Sequence, residues 1–316
     1  EAVFSRFPLD ELAAYAGTSE ADWLASALAE RGAEGASAYA DALTANLASG
    51  AARIAFPTDG MRIAMTYKSL GSPKFVSYLN DAVFYCGDLG KRGVGDFAWA
   101  LIAVEHCGAR FPDNAANTPE TLLKSIAEAE LEGGGFALTG TAPDADTTAI
   151  VLRALAPHRD ACAELVARTL NALSAPQQES GAFASLGTET AESTAQAVLA
   201  LSALGIAPDA DERFVKNGVT CVEALYGFAT ADGFAHIHGG ETDALATAQA
   251  LSALRACETP QQSGSATEGT ENTPAVSPAA QESGTGRTVF LVAAVAAVAA
   301  GAAVFLRVRF TKQYQK

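Results

Sequence analysis

The fold is decided by a stretch that the chain repeats, GAFASLGTETAESTAQAVLALSAL at residues 181–204. Two further copies are GGFALTGTAPDADTTAIVLRAL at residues 134–155 and GFAHIHGGETDALATAQALSAL at residues 233–254. Each copy consists of a Gly-Phe turn, a polar loop and an Ala/Leu-rich helix that opens with Thr-Ala. Repetition of one supersecondary unit indicates a repeat architecture, in which each unit buries its apolar face against its neighbours.

The pattern continues upstream in weaker form. GDFAWALIAVEHCG at residues 95–108 matches the Ala/Leu helix, and residues 61–71 and 22–32 match its C-terminal half. All three end on a glycine, which supplies the left-handed conformation that ends a helix. We expect helices and no strand, at residues 8–16, 20–31, 35–49, 58–70, 73–86, 94–107, 119–132, 145–156, 160–174, 190–204, 209–226 and 242–256.

These twelve helices form six hairpins in units of about 50 residues, a period typical of solenoids and closed arrays. Six units are few for an open superhelix, and they suggest closure. We therefore expect an all-α fold for residues 1–257, an α6/α6 toroid with six inner helices surrounded by six outer ones.

The C-terminal part of the chain predicts a stalk and a membrane anchor. Residues 258–287 are rich in Ser, Thr, Pro, Gly and Glu, a composition typical of a disordered stalk. Residues 288–306 contain no charge and are long enough to cross the ~30 Å hydrocarbon core as one transmembrane helix. The basic tail at 307–316 indicates the cytoplasmic side of the cell membrane. We expect an extracellular N-terminal domain, and Glu1 in place of Met fits a removed signal peptide.

Charge and cysteine content exclude some partners. The chain has 21 Lys and Arg against 36 Asp and Glu, and five of those cations lie from Arg287 onward, which leaves 16 − 36 = −20 before that point. Such an acidic surface repels nucleic acid, so we expect no nucleic-acid partner. Five cysteines cannot pair completely, and no CxxC spacing suggests a metal site.

The Gly-Phe turn followed by a Thr-Ala helix resembles the prenyltransferase/squalene-oxidase repeat, over residues 20–256. This repeat is shared by protein prenyltransferase β subunits, squalene–hopene cyclases and the α-domain of the intrinsic factor and transcobalamin group. Residues 146–158 and 192–218 resemble bacterial surface proteins with the same repeat. Some of those proteins bind corrinoids, often with a companion β-domain. The resemblance thus implies a corrinoid ligand or a separate β-domain protein as partner.

One motif offers a catalytic alternative. DADTTA at residues 144–149 resembles the DxDDTA acid motif of squalene–hopene cyclases, in which Asp146 would be the general acid. Thr147 departs from that pattern, which has Asp at this position. The neighbouring acid that would increase the acidity of the central aspartate is therefore missing. The structural alternative is that Asp146 and Glu192 cap the N-termini of their helices.

Other chemistries have less support. The resemblance to prenyltransferases implies zinc bound by an Asp-x-Cys pair, but Asp160 and Cys162 lie at the start of an expected outer helix. The four histidines are scattered, and no DDxxD or GxSxG motif is present. We expect no metal and no cofactor, with a corrinoid as a possible ligand.

Aligned inner helices place five residues in one column that would face the lumen of the toroid. A ring of indoles and amides there suits an apolar ligand with amide groups at its rim, and a filled core is the alternative. The column consists of Trp23, Trp99, Ile150, Gln196 and Gln249. The Gly-Phe turns gather at one mouth of the toroid, where three phenylalanines would seat a ligand or form a structural belt. They are Phe136, Phe183 and Phe234, and Asp146 and Glu192 complete the candidate ligand-binding residues.

Three hypotheses about function follow. The leading one is a membrane-anchored extracellular module that captures a small molecule or a partner domain. The second is an enzyme similar to terpenoid cyclases or prenyltransferases with Asp146 as general acid, and the third is a structural or adhesive surface module.

Overall fold

The computed structural model describes residues 2–258, and this part of the chain is mostly helical, which confirms the all-α class. Its α-helices are α1 (Ala2–Arg6), α2 (Leu9–Leu12), α3 (Ser19–Glu30), α4 (Ala36–Ser49), α5 (Pro57–Ser69), α6 (Phe75–Leu79), α7 (Val94–Cys107), α8 (Pro119–Glu128), α9 (Ala145–Leu155), α10 (Ala163–Ser174), α11 (Ala191–Ala203), α12 (Cys221–Tyr226) and α13 (Ala244–Glu258).

Six long helices, which alternate along the chain with the remaining ones, contact one another in order, and the last of them contacts the first. The contacts run from α3 to α5, α7, α9, α11 and α13, and α13 packs against α3. We call these six the inner helices and the space that they enclose the lumen. Alanines along them allow close approach, since Ala98, Ala149, Ala195 and Ala248 are all buried. The other helices lie outside this ring: α4 contacts α3, α6 contacts α5, α8 contacts α7, α10 contacts α9, and α12 contacts α11.

The N-terminal part of the ring is joined by a buried ion pair. Asp22 of α3 is fully buried and accepts hydrogen bonds from the Arg62 guanidinium of α5 and from the Tyr39 hydroxyl of α4, the latter at 2.8 Å. The backbone N–H of Gly17 donates to the same carboxylate at 2.9 Å. Both charges are thus satisfied in the interior, as buried ions require.

Three short antiparallel ribbons correct the expectation that the chain has no strand. They pair β1 (Ala184–Ser185) with β2 (Thr188–Glu189), β3 (Val215–Lys216) with β4 (Val219–Thr220), and β5 (Phe234–Ala235) with β6 (Thr242–Asp243).

The second ribbon replaces most of the helix expected at 209–226, of which only α12 forms. Asn217 and Gly218 have φ values of 51° and 81°. Positive φ at both central residues is the geometry of a type I′ hairpin turn, for which Asn-Gly is the preferred pair. The Asn-Gly signal therefore outweighs the helical pattern of the flanking residues.

Other helix ends differ by smaller amounts. The helix expected at 8–16 is α2 followed by a 3₁₀ turn at Ala13–Tyr15, and the helix expected at 73–86 is α6 followed by a π-helical segment at Asn80–Phe84. Helix α1 was not predicted. Gly71 and Gly108 follow α5 and α7 with φ values of 74° and 59°, which confirms that glycine ends these helices.

The predicted stalk, transmembrane helix and basic tail lie outside the described residues. Within residues 2–258, no helix combines the length and the apolar character that a membrane span requires.

Candidate functional site

Each repeat ties its Gly-Phe turn to the helix that follows. The backbone N–H of each phenylalanine donates to a threonine hydroxyl in the first turns of the helix, at 2.9–3.1 Å. The pairs are Phe136 with Thr148, Phe183 with Thr194, and Phe234 with Thr247. The three aromatic rings are buried, which leaves them no surface for a ligand and favours the structural belt.

Two aspartates make the same connection in earlier units. Asp22 accepts from the N–H of Gly17, and Asp96 accepts from the N–H of Gly90 at 3.1 Å. Both carboxylates are buried at the start of an inner helix, as the threonines are. Asp59 of α5 likewise accepts from the N–H of Ala55 at 3.0 Å. All six inner helices thus begin with a side chain that fixes the preceding loop, so the loops at this end of the ring are held at defined positions.

The two indoles of the predicted column meet inside the ring. Trp23 lies on α3 and Trp99 on α7, and these helices are separated by α5. The ring centroids are 5.4 Å apart with the planes tilted by 38°. Neither indole N–H has a hydrogen-bond partner within residues 2–258, and both side chains keep some exposed surface. Buried tryptophan N–H groups usually find a partner, so this pair offers two donors to a ligand.

The two amides of the column are also brought together. Gln196 of α11 donates from Nε2 to Oε1 of Gln249 on α13, at 2.8 Å. Gln196 is only 8% exposed, and its own Oε1 has no partner in the described part of the chain. Ile150, Gln196 and Gln249 each lie six residues after the residue that caps the helix, so they share one level. We call these three residues and the two tryptophans the mid-lumen layer.

The caps of the inner helices are not the predicted residues. Asp144, not Asp146, caps α9 and accepts from the N–H of Thr147 at 2.7 Å. Thr190, not Glu192, caps α11 and accepts from the N–H of Ser193 at 3.2 Å. The capping prediction for Asp146 and Glu192 is therefore wrong. The helices begin at Ala145 and Ala191, so the cap lies two residues before each of these carboxyl groups, which belong to the first turn.

Both carboxyl groups lie at the mouth, which we define as the N-terminal ends of α9, α11 and α13 with their preceding loops. Burial raises the pKa of Asp146, and hydrogen bonds from Ser193 oppose the shift. Burial also raises the pKa of Glu192, against the opposing effect of His236, whose Nδ1 lies 2.9 Å from both carboxylate oxygens. A raised pKa makes Asp146 a weaker acid, the opposite of what alkene protonation requires.

Exposed aliphatic side chains surround the mouth. Leu138, Leu186 and Ile237 follow the three buried phenylalanines, one in each loop, and all three are exposed. Leu186 is fully exposed and has a φ of 50°, a conformation that L-residues adopt rarely. We call these three residues the apolar rim. Several exposed apolar side chains at one end of a molecule indicate an interaction surface more than scattered ones do.

A charged group that sequence reasoning missed occupies the C-terminal ends of the inner helices. We call it the floor cluster, and it consists of Glu30, Ser69, His106, Arg153 and Arg255. Glu30 accepts from the Ser69 hydroxyl and from Arg255 Nη1, both at 2.7 Å, and lies 3.6 Å from Nε2 of His106. These residues come from α3, α5, α7, α9 and α13, so the cluster spans the ring.

Helical periodicity could have located the floor cluster. Glu30 follows Trp23 by seven residues, His106 follows Trp99 by seven, and Arg153 follows Ile150 by three, so each lies on the same helix face as its predecessor. Three of the five lumen-facing positions thus have a partner in the floor cluster one or two turns further along the same helix.

The floor cluster does not have the geometry of a catalytic triad. Ser69 Oγ lies 3.0 Å from Nε2 of His106, and Glu30 approaches the same nitrogen. A triad base contacts the nucleophile with one ring nitrogen and the acid with the other. Burial lowers the pKa of His106, so this imidazole is largely neutral at pH 7.

The described residues contain no group of three or more His, Cys, Asp or Glu that could hold a metal ion. Cys162 precedes the outer helix α10, and all five cysteines are free thiols. Burial raises the pKa of Cys107 and Cys221 to about 12, so these two thiols are unreactive.

No protein-family model matches the chain, and no curated protein matches it. The candidate site therefore stands on its geometry: a mouth with an apolar rim, a mid-lumen layer of indoles and amides, and a charged floor.

Proposed function

We propose that residues 20–256 form an α6/α6 toroid of the prenyltransferase/squalene-oxidase type. The cyclic series of contacts from α3 through α13 and back to α3 supports this architecture. The repeated bond between the Gly-Phe turn and the helix start supports descent of the units from one motif. The outer position between α13 and α3 would be filled by α1 and α2.

The toroid's function in this proposal is to bind a ligand without transforming it. The observation that carries the proposal is the meeting of Trp23 and Trp99 inside the ring, with indole N–H groups that have no partner among the described residues. The Gln196–Gln249 amide pair, on two other inner helices, supports it. An apolar, aromatic lining with a few fixed polar groups is the usual composition of a small-molecule site. The ligand would be apolar over most of its surface and would carry hydrogen-bond acceptors.

The apolar rim supports a second component at the mouth. Leu138, Leu186 and Ile237 would dock a separate β-domain protein, and a corrinoid held between the two is the candidate ligand. Residues 258–287, 288–306 and 307–316 would be the stalk, the membrane span and the cytoplasmic tail that hold the toroid outside the cell.

Two assays separate binding from catalysis. The full chain in lipid nanodiscs, incubated with squalene or prenyl diphosphates, should yield no cyclised or transferred product. Equilibrium dialysis against a cobalamin, with and without a β-domain protein, should show binding that the second component strengthens.

Product formation that disappears in Asp146→Asn would overturn the proposal in favour of a cyclase. Absence of cobalamin binding, both with and without the β-domain protein, would exclude a corrinoid as the ligand. Another apolar ligand would then be sought with the tryptophan fluorescence titrations described below.

A further inference from the structure

The Arg153 guanidinium is the unpaired cation of the floor cluster. Arg153 lies on α9 and is partly exposed, yet it makes no hydrogen bond and no ion pair within residues 2–258. Its neighbours are already engaged. Glu30 is held by Ser69 and Arg255, and Arg31 donates to the carbonyl of Leu251 at 3.2 Å.

The charge on Arg153 persists in this position. Burial lowers the pKa of Arg153 to about 10, which keeps the guanidinium protonated at neutral pH, and Glu30 across the ring opposes the shift. No guanidinium nitrogen of Arg153 is fully buried, so a ligand can reach the cation. A mostly enclosed cation without a hydrogen-bonded partner is less well stabilised than one in open water. A ligand that brought an anionic group would therefore gain more here than at an exposed arginine.

Arg153 lies on the same helix as Ile150 of the mid-lumen layer and close to it along the helix axis. Arg153 follows Ile150 by three residues, which places it about 4.5 Å further along the axis of α9. A molecule lying against Trp23 and Trp99 would thus have its far end within reach of the guanidinium. The lumen presents an aromatic surface at one level and a cation at the next.

We propose that the lumen binds amphiphiles with a carboxylate head group, and that Arg153 recognises the carboxylate. This inference rests on the proposed binding function and adds the chemical class of the ligand. Two parallel N–H groups of a guanidinium match the two oxygens of a carboxylate. Glu30 beside the site disfavours a second negative charge, so a carboxylate is preferred to a phosphate monoester.

The test compares octanoate, octanol and octyl phosphate as probes. The full chain in nanodiscs is titrated while tryptophan emission is recorded, and titration of empty nanodiscs gives the free probe concentration. Trp23 and Trp99 are the two tryptophans of the chain, so the signal reports on the lumen alone. Octanoate should bind about tenfold more tightly than octanol, as expected for a charged hydrogen bond.

Two variants and a control test whether Arg153 causes the preference for octanoate over octanol. Arg153→Gln should bring octanoate to within about twofold of octanol, since the charged hydrogen bond is lost. Glu30→Gln should strengthen octanoate binding and leave octanol unchanged, because it removes a competing negative charge. Arg168→Gln, on the outer helix α10, should change neither.

Equal affinities of octanoate and octanol in the unmodified chain would overturn the inference while leaving the binding function intact. Tighter binding of octyl phosphate than of octanoate would also overturn it. Preference for octanoate that survives in Arg153→Gln would assign the anion to another residue. If that variant does not fold, unchanged octanoate affinity in Glu30→Gln decides against the inference. Absence of a response to all three probes would overturn the inference, and the cobalamin dialysis would then decide the binding function separately.

Discussion

Thr148 and Phe136 exchange two hydrogen bonds: the N–H of Phe136 donates to Oγ1 of Thr148 at 3.1 Å, and that hydroxyl donates to the carbonyl of Phe136 at 3.1 Å. Both residues are buried, so water cannot replace either bond. The threonine of each repeat therefore joins the Gly-Phe turn to an inner helix, and the chemistry of one side chain explains why Thr-Ala recurs.

Replacement of Thr148 by valine tests this connection. The shape is retained, but the N–H of Phe136 is left without an acceptor, and an unsatisfied buried donor costs about 1–3 kcal/mol. We expect the free energy of unfolding in urea to fall by that amount. Thr139→Val, at an exposed position in the same loop, is the control and should change it little. Equal losses in both variants would show that the hydroxyl is unimportant.

The corrected cap assignments predict different effects for two neighbouring aspartates. Asp144 accepts from the N–H groups of Thr147 and Leu138, at 2.7 Å and 2.8 Å. Asp144→Ala should therefore reduce the free energy of unfolding by about 1–2 kcal/mol, the usual effect of losing a cap. Asp144→Asn should lose less, because asparagine is itself a good cap. A larger loss in Asp146→Asn than in Asp144→Ala would contradict the assignment.

The buried ion pair between Asp22 and Arg62 should be costly to break from one side. Asp22→Leu leaves the Arg62 guanidinium buried without its main partner, and removal of one member of such a pair costs about 3–5 kcal/mol. The double variant Asp22→Leu with Arg62→Met should recover much of this loss, since it removes both charges. Urea unfolding followed by circular dichroism measures both. Arg62→Met alone completes the comparison, and if the losses of the two single variants simply add in the double variant, the pair does not interact.

Asp146 should make stability depend on pH. Burial raises its folded-state pKa above the unfolded value, so the folded chain keeps the proton over a pH range in which the unfolded chain has lost it. Its contribution to stability is therefore largest at low pH and falls as the pH rises through the folded-state pKa. Asp146→Asn should gain stability relative to the unmodified chain on going from pH 4 to pH 7.

Unfolding free energies across that pH range measure the difference between the two chains. Asp113→Asn, at an exposed position, reports the effect of removing one negative charge from the chain as a whole. A difference that does not change with pH in Asp146→Asn would show that this carboxyl group is solvated in the folded state.

Periodicity predicted the inner helices well because their alanines and leucines must face neighbours on several sides. It failed at residues 209–226, where a two-residue turn at Asn217 and Gly218 reverses the chain inside an apolar pattern. The sequence pattern also placed the N-caps two residues too late. Asp144 and Asp146 are the same residue type, so their identity gives no reason to prefer one as the cap of α9. Only the backbone geometry at the start of α9 distinguishes them.

The candidate site was predictable in part. The column that contains Trp23 and Gln196 follows from aligning the repeats, although the contact between Trp23 and Trp99 across α5 depends on the closure of the ring. The floor cluster was missed because Glu30 and His106 lie far apart in the sequence and belong to the weakly repetitive half. Their proximity comes from the packing of α3, α5 and α7, which no motif records.

Tryptophan emission during ligand binding tests the central claim most directly. Corrinoids and a panel of amphiphiles are first screened for an increase in the unfolding temperature of the full chain, and each hit is then titrated. A lumen site predicts that every such ligand changes the emission of Trp23 and Trp99, and that Trp99→Phe weakens its affinity. A ligand that stabilises the chain, leaves the emission unchanged and binds Trp99→Phe equally well would place the binding site outside the ring.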